Sequence, residues 1–153
     1  MATQIFISID GIKGGTANSG YADYFDAVTV DMGAGVSYNS ATFVKTGSYS
    51  VEPVIVTIKH DKMLATIYQY LSQQTTTKVN IVWEQAEGDA KKKAIDLTLN
   101  DAYIVGASTG VNDIDGVAVE STSTLTFTYG SFNLVTASAR GGDGSDIELT
   151  VAS

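Results

Sequence analysis

The sequence predicts a mainly β protein, an antiparallel β-barrel of two sheets with one α-helix packed outside, formed as a single domain by residues 1–153. Several separate segments alternate apolar and polar residues with the period of two that half-buried strands show. Only one segment, after Asp61, has apolar residues at helical spacing. Glycine-bounded stretches lie between the periodic segments, and no repeat of about 20 to 50 residues is visible, so solenoids and propellers are not expected.

The first thirty or so residues predict a strand, a glycine-punctuated loop and a second strand. Ile5, Ile7 and Ile9 fall on one face of the first strand. The loop contains four glycines between Gly11 and Gly20, which take a positive φ at little cost and let the chain turn. The second strand alternates again, and its apolar positions are Val28, Val30 and Met32, opposite Thr29 and Asp31.

The middle of the chain predicts a loop, a strand and the helix. Residues 33–47 are polar and bounded by glycines, so we expect a long loop or a protruding hairpin. A strand follows over 48–59, with Pro53 near its start, where a missing backbone donor is tolerated. The carboxylate of Asp61 is expected to cap the helix by accepting from first-turn amides. The apolar helix positions are Met63, Leu64, Ile67, Tyr68 and Leu71, and the run 73–77 ends the helix.

The second half of the chain predicts further strands at residues 79–84, 95–99, 125–129 and 147–151. A bulge near residues 100–102 is expected to move the buried face toward Ile104. Residues 106–120 are interpreted as a second long loop. A row of threonines alternates with the apolar residues of the strand at 125–129, which suits a wall that touches water or another subunit; the row is Thr124, Thr126 and Thr128.

The composition limits the classes of function. The chain has 9 basic and 17 acidic residues, for a net charge of −8, which argues against attraction to nucleic acid or to an anionic membrane. The one basic run, Lys91–Lys93, is interpreted as a solvated segment balanced by neighbouring acidic residues. The chain contains no cysteine, so disulfides and thiol chemistry do not arise. The sequence shows neither a signal-peptide pattern nor a membrane-length apolar run, so we expect a product made in the cytoplasm, without membrane insertion.

No motif predicts a catalytic residue, a metal ligand or a cofactor. His60 is the single histidine, and no carboxylates are spaced to complete a metal site with it. The segment Gly141–Leu149 comes close to a calcium-binding nonapeptide, but one copy cannot build the cage, so a turn is favoured. Residues 112–116 lack the spacing of an EF-hand and are also interpreted as a turn. The glycines at 11–15 lack the lysine of a phosphate-binding loop.

The order of these elements resembles Hcp, the haemolysin-coregulated protein family of type VI secretion inner tubes, which is related to phage tail tube proteins. The similarity begins with the strand Ile5–Ile9, the loop Asp10–Gly14 and the aspartate-led strand Asp26–Gly33. It continues through V-x-I-x-K, the helix L-A-T-I-Y-Q-Y-L and the strand K-V-x-I-x-W. The chain departs from the family at Gly15, where glutamate is usual, and at Met32, where tryptophan is usual.

The resemblance implies a structural subunit rather than an enzyme, with a homohexameric ring that stacks into a hollow tube. Its partners would be further copies of itself and the sheath, tip and effector proteins, and it would be secreted without a cleavable signal and shelter small effectors in its lumen. A closed ring would also cover exposed strand edges. The loops at 33–47 and 106–120 are the expected contacts, and the residues predicted for the ring or stacking interface are Tyr38, Phe43, Lys45, Tyr49, Asp113 and Asp115.

Two alternatives remain open from the sequence. The chain could be a monomeric small-ligand or carbohydrate-binding β-barrel, whose pocket would be lined by Tyr38, Tyr49, Tyr70 and Trp83. It could also be a phage-derived tail tube protein, which would share the fold and the mode of assembly. A tube protein should be oligomeric without ligand, whereas a binding module can be monomeric.

Overall fold

The structure is a computed structural model that describes residues 3–16, 21–39, 41–42, 44–87, 90–114, 118–136 and 147–152. Within these ranges the chain forms ten strands and one helix. In chain order they are β1 (Thr3–Ile9), β2 (Phe25–Asp31), β3 (Ala34–Asn39), β4 (Val44–Val51), β5 (Val54–Lys59), α1 (Leu64–Gln73), β6 (Thr77–Glu87), β7 (Ala90–Ile114), β8 (Ala118–Thr128), β9 (Ser131–Thr136) and β10 (Ile147–Ala152).

An eight-stranded antiparallel sheet closes on itself to form the barrel. Its strand order is β10-β9-β7-β6-β1-β2-β5-β8, and an additional pairing joins β7 to β8. The strands β7, β6, β1, β2, β5 and β8 therefore form a closed ring, from which β9 and β10 extend. Strands β3 and β4 form a separate two-stranded ribbon. The predicted fold class, a β-barrel of two sheets with one helix, is confirmed.

Strand β7 takes part in both the barrel and its extension because it bends. Its residues 95–100 pair with β9, and its residues 103–114 pair with β8. The register against β6 shifts between Thr77 and Val79, where β7 has one extra residue, and Asp101 has a φ of 51°. The buried positions move from Leu97 and Leu99 to Ala102 and Ile104 across this bulge, as the sequence predicted.

One hydrophobic cluster fills the barrel. It contains inward-facing residues of all six barrel strands, together with Ile67 of the helix and Phe132 of β9. Phe25 and Phe127 are its largest fully buried side chains from the barrel strands. Burial of each such side chain stabilises the fold by about 1.5–3 kcal/mol relative to exposure. The barrel is therefore held together by its own core, without disulfides.

The helix α1 lies outside the strands and covers one end of the barrel. Ile67 is fully buried in the core cluster, and Tyr70 lies next to Gly11, just beyond the end of β1. The hydroxyls of Tyr68 and Thr109 of β7 lie 2.9 Å apart. We call this the helix end, and the opposite mouth the open end. The helix ends at Gln74, which has a left-handed φ of 52° and whose backbone N–H donates to the carbonyl of Leu71.

The helix begins later than the predicted cap implies. The Oδ1 of Asp61 accepts from the backbone N–H of Met63 at 2.9 Å, but the helix starts at Leu64, and Met63 makes no side-chain capping bond. The other oxygen, Oδ2, accepts from the N–H of Gly15 at 2.8 Å. Asp61 therefore fixes the turn before the helix and ties it to the segment after β1.

Several sequence expectations differ from the structure. The predicted loop at 106–120 is wrong, since β7 continues to Ile114 and β8 starts at Ala118. The expected strand over 48–59 is two strands, separated at Glu52 and Pro53. Within the described part of 33–47, strands β3 and β4 pair as a hairpin that continues to Val51, one of the two predicted forms. Strand β9 was not predicted at all.

Strand β2 also departs from its expected alternation. The register against β5 shifts between Ala27 and Thr29, so Val28 is an extra residue. Its side chain is 48% exposed, while Val30 packs against the core. The bulge therefore separates two valines that strict alternation would place on one face.

Candidate functional site

Four of the six residues predicted for the ring or stacking interface lie on two strand pairs, β3–β4 and β7–β8. Tyr38 of β3 is paired with Lys45 of β4, and Val36 is paired with Tyr49. Asp113 lies near the end of β7, opposite Val119 of β8. Phe43 and Asp115 lie outside the described residues. The structure therefore groups Tyr38, Lys45 and Tyr49 on one ribbon and places Asp113 on a different hairpin.

A broad, nearly uncharged surface covers the outer face of β5, of β8 from Thr122 onward and of β7 from Gly106 to Gly110. We call it the threonine wall and define it by ten outward residues: Ile55, Thr57, Lys59, Gly106, Ser108, Gly110, Thr122, Thr124, Thr126 and Thr128. Within this set only Lys59 is ionisable. The hydroxyls of Thr57 and Thr124 are 3.2 Å apart across the β5–β8 pair, and Ile55 is 39% exposed. The sequence singled out part of the threonine row, but missed its continuation onto β7.

The outer face of β1 and β6 is covered instead by the chain itself. We call residues 10–24 the β1–β2 connection, of which 17–20 lie outside the described residues. Its Tyr21 stacks on Phe6 of β1, with ring centroids 4.3 Å apart, and Tyr24 meets Tyr21 edge-on at 5.3 Å. Phe6 and Val82 are buried beneath them. Phe6 and Val82, which face outward from these strands, are therefore core residues of a second, smaller cluster.

Two tyrosine hydroxyls fasten the β1–β2 connection to β6. The hydroxyl of Tyr21 donates to Glu84, a buried carboxylate. The hydroxyl of Tyr24 donates to Oδ1 of Asn80 at 2.7 Å, and Nδ2 of Asn80 donates to Asp96 of β7 at 2.7 Å. Buried polar groups are stable only when such partners are present. The network therefore depends on the connection being in place.

Burial and neighbouring acids raise the pKa of both tyrosines. For Tyr21, desolvation is the largest cause, and the hydrogen bond and charge of Glu84 raise the pKa further. For Tyr24, desolvation also leads, followed by the charge of Asp96, while a hydrogen bond with Ser8 lowers the pKa. Both effects favour the neutral hydroxyl, which is the form that can donate. Both groups therefore remain donors at neutral pH.

A close backbone approach holds the start of the connection. A Cβ on Gly14 would lie 2.4 Å from the carbonyl oxygen of Tyr24, so no other residue fits without movement of the backbone. The N–H of Gly14 donates to the carbonyl of Asp23 at 3.0 Å. The glycine loop seen in the sequence thus has a packing role here.

At the open end of the barrel, apolar side chains surround a recess of about 270 Å³. We call it the open-end recess; its lining is Ile5, Val30, Met32, Ile81, Trp83, Ile95 and Leu97. Trp83 lines it, whereas Tyr70 lies at the helix end next to Gly11. The structure thus separates two of the four aromatics expected in a shared pocket. Tyr38 and Tyr49 are placed only by their backbone pairing.

The single histidine and the acidic residues that the structure describes do not come together in a catalytic or metal-binding cluster. His60 is exposed, and its backbone N–H donates to the carbonyl of Ser121 at 2.9 Å. Among the described residues, no three His, Asp or Glu side chains gather where they could hold a metal ion. Nor is any helix in these ranges long and apolar enough to cross a membrane. Two segments of the sequence were compared with calcium-binding motifs. Parts of them, residues 115–116 and 141–146, lie outside the described residues.

The closed antiparallel barrel, its single helix and its nearly uncharged outer wall define a β-barrel protein as the class of fold. The family model described as "Type VI secretion system effector, Hcp" matches residues 6–149. The chain belongs to this Hcp family, and is a structural tube protein of type VI secretion. The resemblance seen in the sequence is confirmed.

Solved Hcp structures have the same fold. Hcp1 from Salmonella typhimurium is 15% identical, with a TM-score of 0.75 over 99% of this chain and 95% of that one. The secreted protein Hcp3 from Pseudomonas aeruginosa is 17% identical, with a TM-score of 0.70 over 99% and 100%. A structure described as a type six secretion system protein reaches a TM-score of 0.82 at 15% identity, over 99% and 96%. Curated protein sequences gave no match.

Proposed function

We propose that this chain assembles into a homohexameric ring, and that the rings stack into the inner tube of a type VI secretion machine. The sixfold symmetry follows from the resemblance to Hcp and not from the geometry of one subunit. The tube would be driven by the sheath, would carry the tip and effectors, and would shelter small effectors in its lumen. It would leave the cell without a cleavable signal. This role needs no catalytic residue.

The observation that carries the proposal is the threonine wall. Bringing it against another copy removes few charges from water, so the desolvation penalty is small. Its β-branched side chains are already restricted in χ1, so they lose little entropy on contact. The net charge of −8 is carried by other surfaces, which keeps free subunits soluble. Such a wall favours contact between copies of the same chain.

Open strand edges support the same proposal. In the described part of the chain, β10 pairs only with β9, and β3 pairs only with β4. Edges of this kind recruit further strands unless something covers them. A closed ring covers them without growing into a fibre. The β3–β4 ribbon contains Tyr38, Lys45 and Tyr49, so three of the six residues proposed for the interface belong to a ribbon with such an edge.

The related alternative of a phage tail tube requires the same assembly. The family match favours the secretion system. Sheath, tip and effector proteins are therefore the proposed partners, in place of phage components. Asp113, near the end of β7, and Asp115 remain proposed contacts with a neighbouring subunit or ring.

The test is the solution mass of the purified protein by light scattering after size exclusion. We expect six times the chain mass of 16.1 kDa. Thr126 lies at the centre of the wall, paired with Ile55 and Gly106, so Thr126→Arg should give monomers. Thr76→Arg makes the same chemical change at an exposed residue before β6 and should leave the hexamer intact.

Two results would contradict the proposal. One is a wild-type monomer at every protein concentration and salt level. The other is a Thr126→Arg protein that remains hexameric with an unchanged dissociation constant. Circular dichroism of each variant separates loss of assembly from loss of the fold.

A further inference from the structure

We propose that the open-end recess is a binding site for one small, uncharged aromatic molecule. This inference does not rest on the ring, because the recess is formed within one subunit. Its lining comes from four neighbouring barrel strands, β2, β1, β6 and β7. Mouths of small barrels are places where such ligands are commonly held.

The shape of the recess fits a molecule of one or two rings. Its volume of about 270 Å³ exceeds the ~150 Å³ of an engineered apolar cavity that binds benzene. Ile81 and Leu97 are almost fully buried and form its floor, while Met32 is 39% exposed and stands at its rim. The recess is therefore deep enough to remove a ligand from water and open enough to admit it.

The chemistry of the described lining disfavours charged and sugar-like ligands. Among the residues that the structure describes, the seven lining side chains are apolar, apart from the indole N–H of Trp83. An ordered water needs two to four polar partners, which these side chains do not supply. A carbohydrate would leave its hydroxyl groups without partners at a large cost. An apolar ligand instead restores the dispersion contacts that an unfilled recess lacks.

Two lining residues favour an aromatic ligand over an aliphatic one. The indole of Trp83 offers a face or edge for stacking. The thioether of Met32 makes favourable contacts with aromatic rings at a separation of about 5 Å. Both groups belong to the same recess, so one ring can meet both.

Trp83 also provides the measurement, because it is the only tryptophan in the chain. We would titrate p-xylene into the full protein and follow the emission of Trp83 and the thermal midpoint. We expect a saturable change in emission and a rise in the midpoint. The expected dissociation constant lies between about 10 μM and 1 mM, as ligand efficiencies of small apolar molecules allow. Cyclohexane, an aliphatic probe of similar size, should bind at least several-fold more weakly.

Two variants and one control locate the ligand. Ile5→Phe fills the recess and should weaken p-xylene binding at least tenfold. Met32→Asp places a charge at the exposed rim, where the fold tolerates it, and should weaken binding several-fold. Val111→Asp makes the same change of charge on an exposed residue toward the helix end and should leave binding unchanged.

Three results would overturn the proposal. The first is an emission of Trp83 that does not respond up to the solubility limit of p-xylene. The second is equal binding in the wild type and in both recess variants. The third is binding that occurs only in the monomeric Thr126→Arg protein. That result would mean that a side chain of a neighbouring copy fills the recess when the subunits assemble. Failure of the ring itself would show in the light-scattering mass and would leave this titration unaffected.

Discussion

Outward residues on β1 and β6 include Phe6 and Val82, which the β1–β2 connection buries, whereas those that define the wall on β5 and β8 are threonines, Ile55 and Lys59, which the chain leaves uncovered. Both faces belong to the same closed barrel and have the same alternation. The difference lies in what covers them. Where the chain covers its own sheet, the outward positions include Phe6 and Val82, which form a small core, and where it does not, most of them are β-branched and uncharged. The threonine wall therefore suits contact with another copy, whereas the outer face of β1 and β6 is already covered by the chain's own β1–β2 connection.

The largest expected effect tests the covered face. Phe6 is 1% exposed and stacks on Tyr21. Phe6→Ala should lower the free energy of unfolding by about 3–5 kcal/mol, because it removes buried surface and leaves a cavity. Ile55→Ala on the threonine wall should cost about 1 kcal/mol or less, because that side chain is already 39% exposed. Urea denaturation of both variants, in a monomeric Thr126→Arg background, gives the two values. Equal losses would contradict the difference between the faces.

The next effect concerns the close approach that holds the connection. Gly14→Ala should lower the free energy of unfolding by about 1–3 kcal/mol, because its Cβ would meet the backbone of Tyr24 and force a shift. Gly110 lies on the wall, with nothing within 4 Å of an added Cβ. Gly110→Ala should therefore change stability little. A Gly14→Ala protein as stable as the wild type would show that the connection is not held at this contact.

A third prediction uses the raised pKa of Tyr21. An unfolded tyrosine ionises at about pH 10, while the folded hydroxyl keeps its proton to higher pH. Below pH 10 the stabilising contribution is complete, and it is lost as the pH rises through the folded pKa. Above pH 10 the free energy of unfolding should fall by up to about 1.4 kcal/mol per pH unit for each such group.

The matched variant is Tyr21→Phe, measured by urea denaturation across this alkaline range. In Tyr21→Phe the free energy of unfolding should fall less steeply with pH, by up to about 1.4 kcal/mol per pH unit, because one titrating hydroxyl has been removed. An identical slope in both proteins would mean that Tyr21 ionises normally in the folded state. The variant should also be less stable at neutral pH, since the buried Glu84 loses its donor.

The smallest effect concerns salt and the uncovered face. Each chain carries −8, and the threonine wall contains one ionisable residue, so added salt should screen repulsion without breaking ion pairs in the wall. Association should therefore strengthen modestly between about 0.01 M and 0.15 M salt, where the Debye length falls from roughly 30 Å to 8 Å. Light scattering at both levels measures it. Dissociation on adding salt would instead indicate charged contacts.

Local pattern was enough to predict the barrel and its helix. Most strands alternate clearly, and the segment after Asp61 repeats at helical spacing. The bulge at Asp101 was also predicted, because the apolar positions change parity there. The predicted loop at 106–120 is wrong because the small residues Gly106, Ser108 and Gly110 are outward residues of a strand rather than signs of a turn. A signal for β9 existed in the alternation of Phe132 and Leu134, but the segment is short.

The surfaces could not be predicted from local pattern in the same way. The Tyr21–Glu84 contact joins residues 63 positions apart, and no local pattern encodes it. The open-end recess depends on four strands meeting at one mouth, which only the closed topology decides. The family resemblance identified the class of protein, but it left these surfaces of the chain undetermined.

Asp61 joins the segment after β1 to the start of the helix through its two carboxylate oxygens. Gly15 and Met63 are far apart in sequence, yet each amide is protected by the same side chain. If the carboxylate swings away, both N–H groups lose their acceptor in one event. Hydrogen exchange at the two amides should then report a single opening, so the helix end and the β1–β2 connection would act as one cooperative unit.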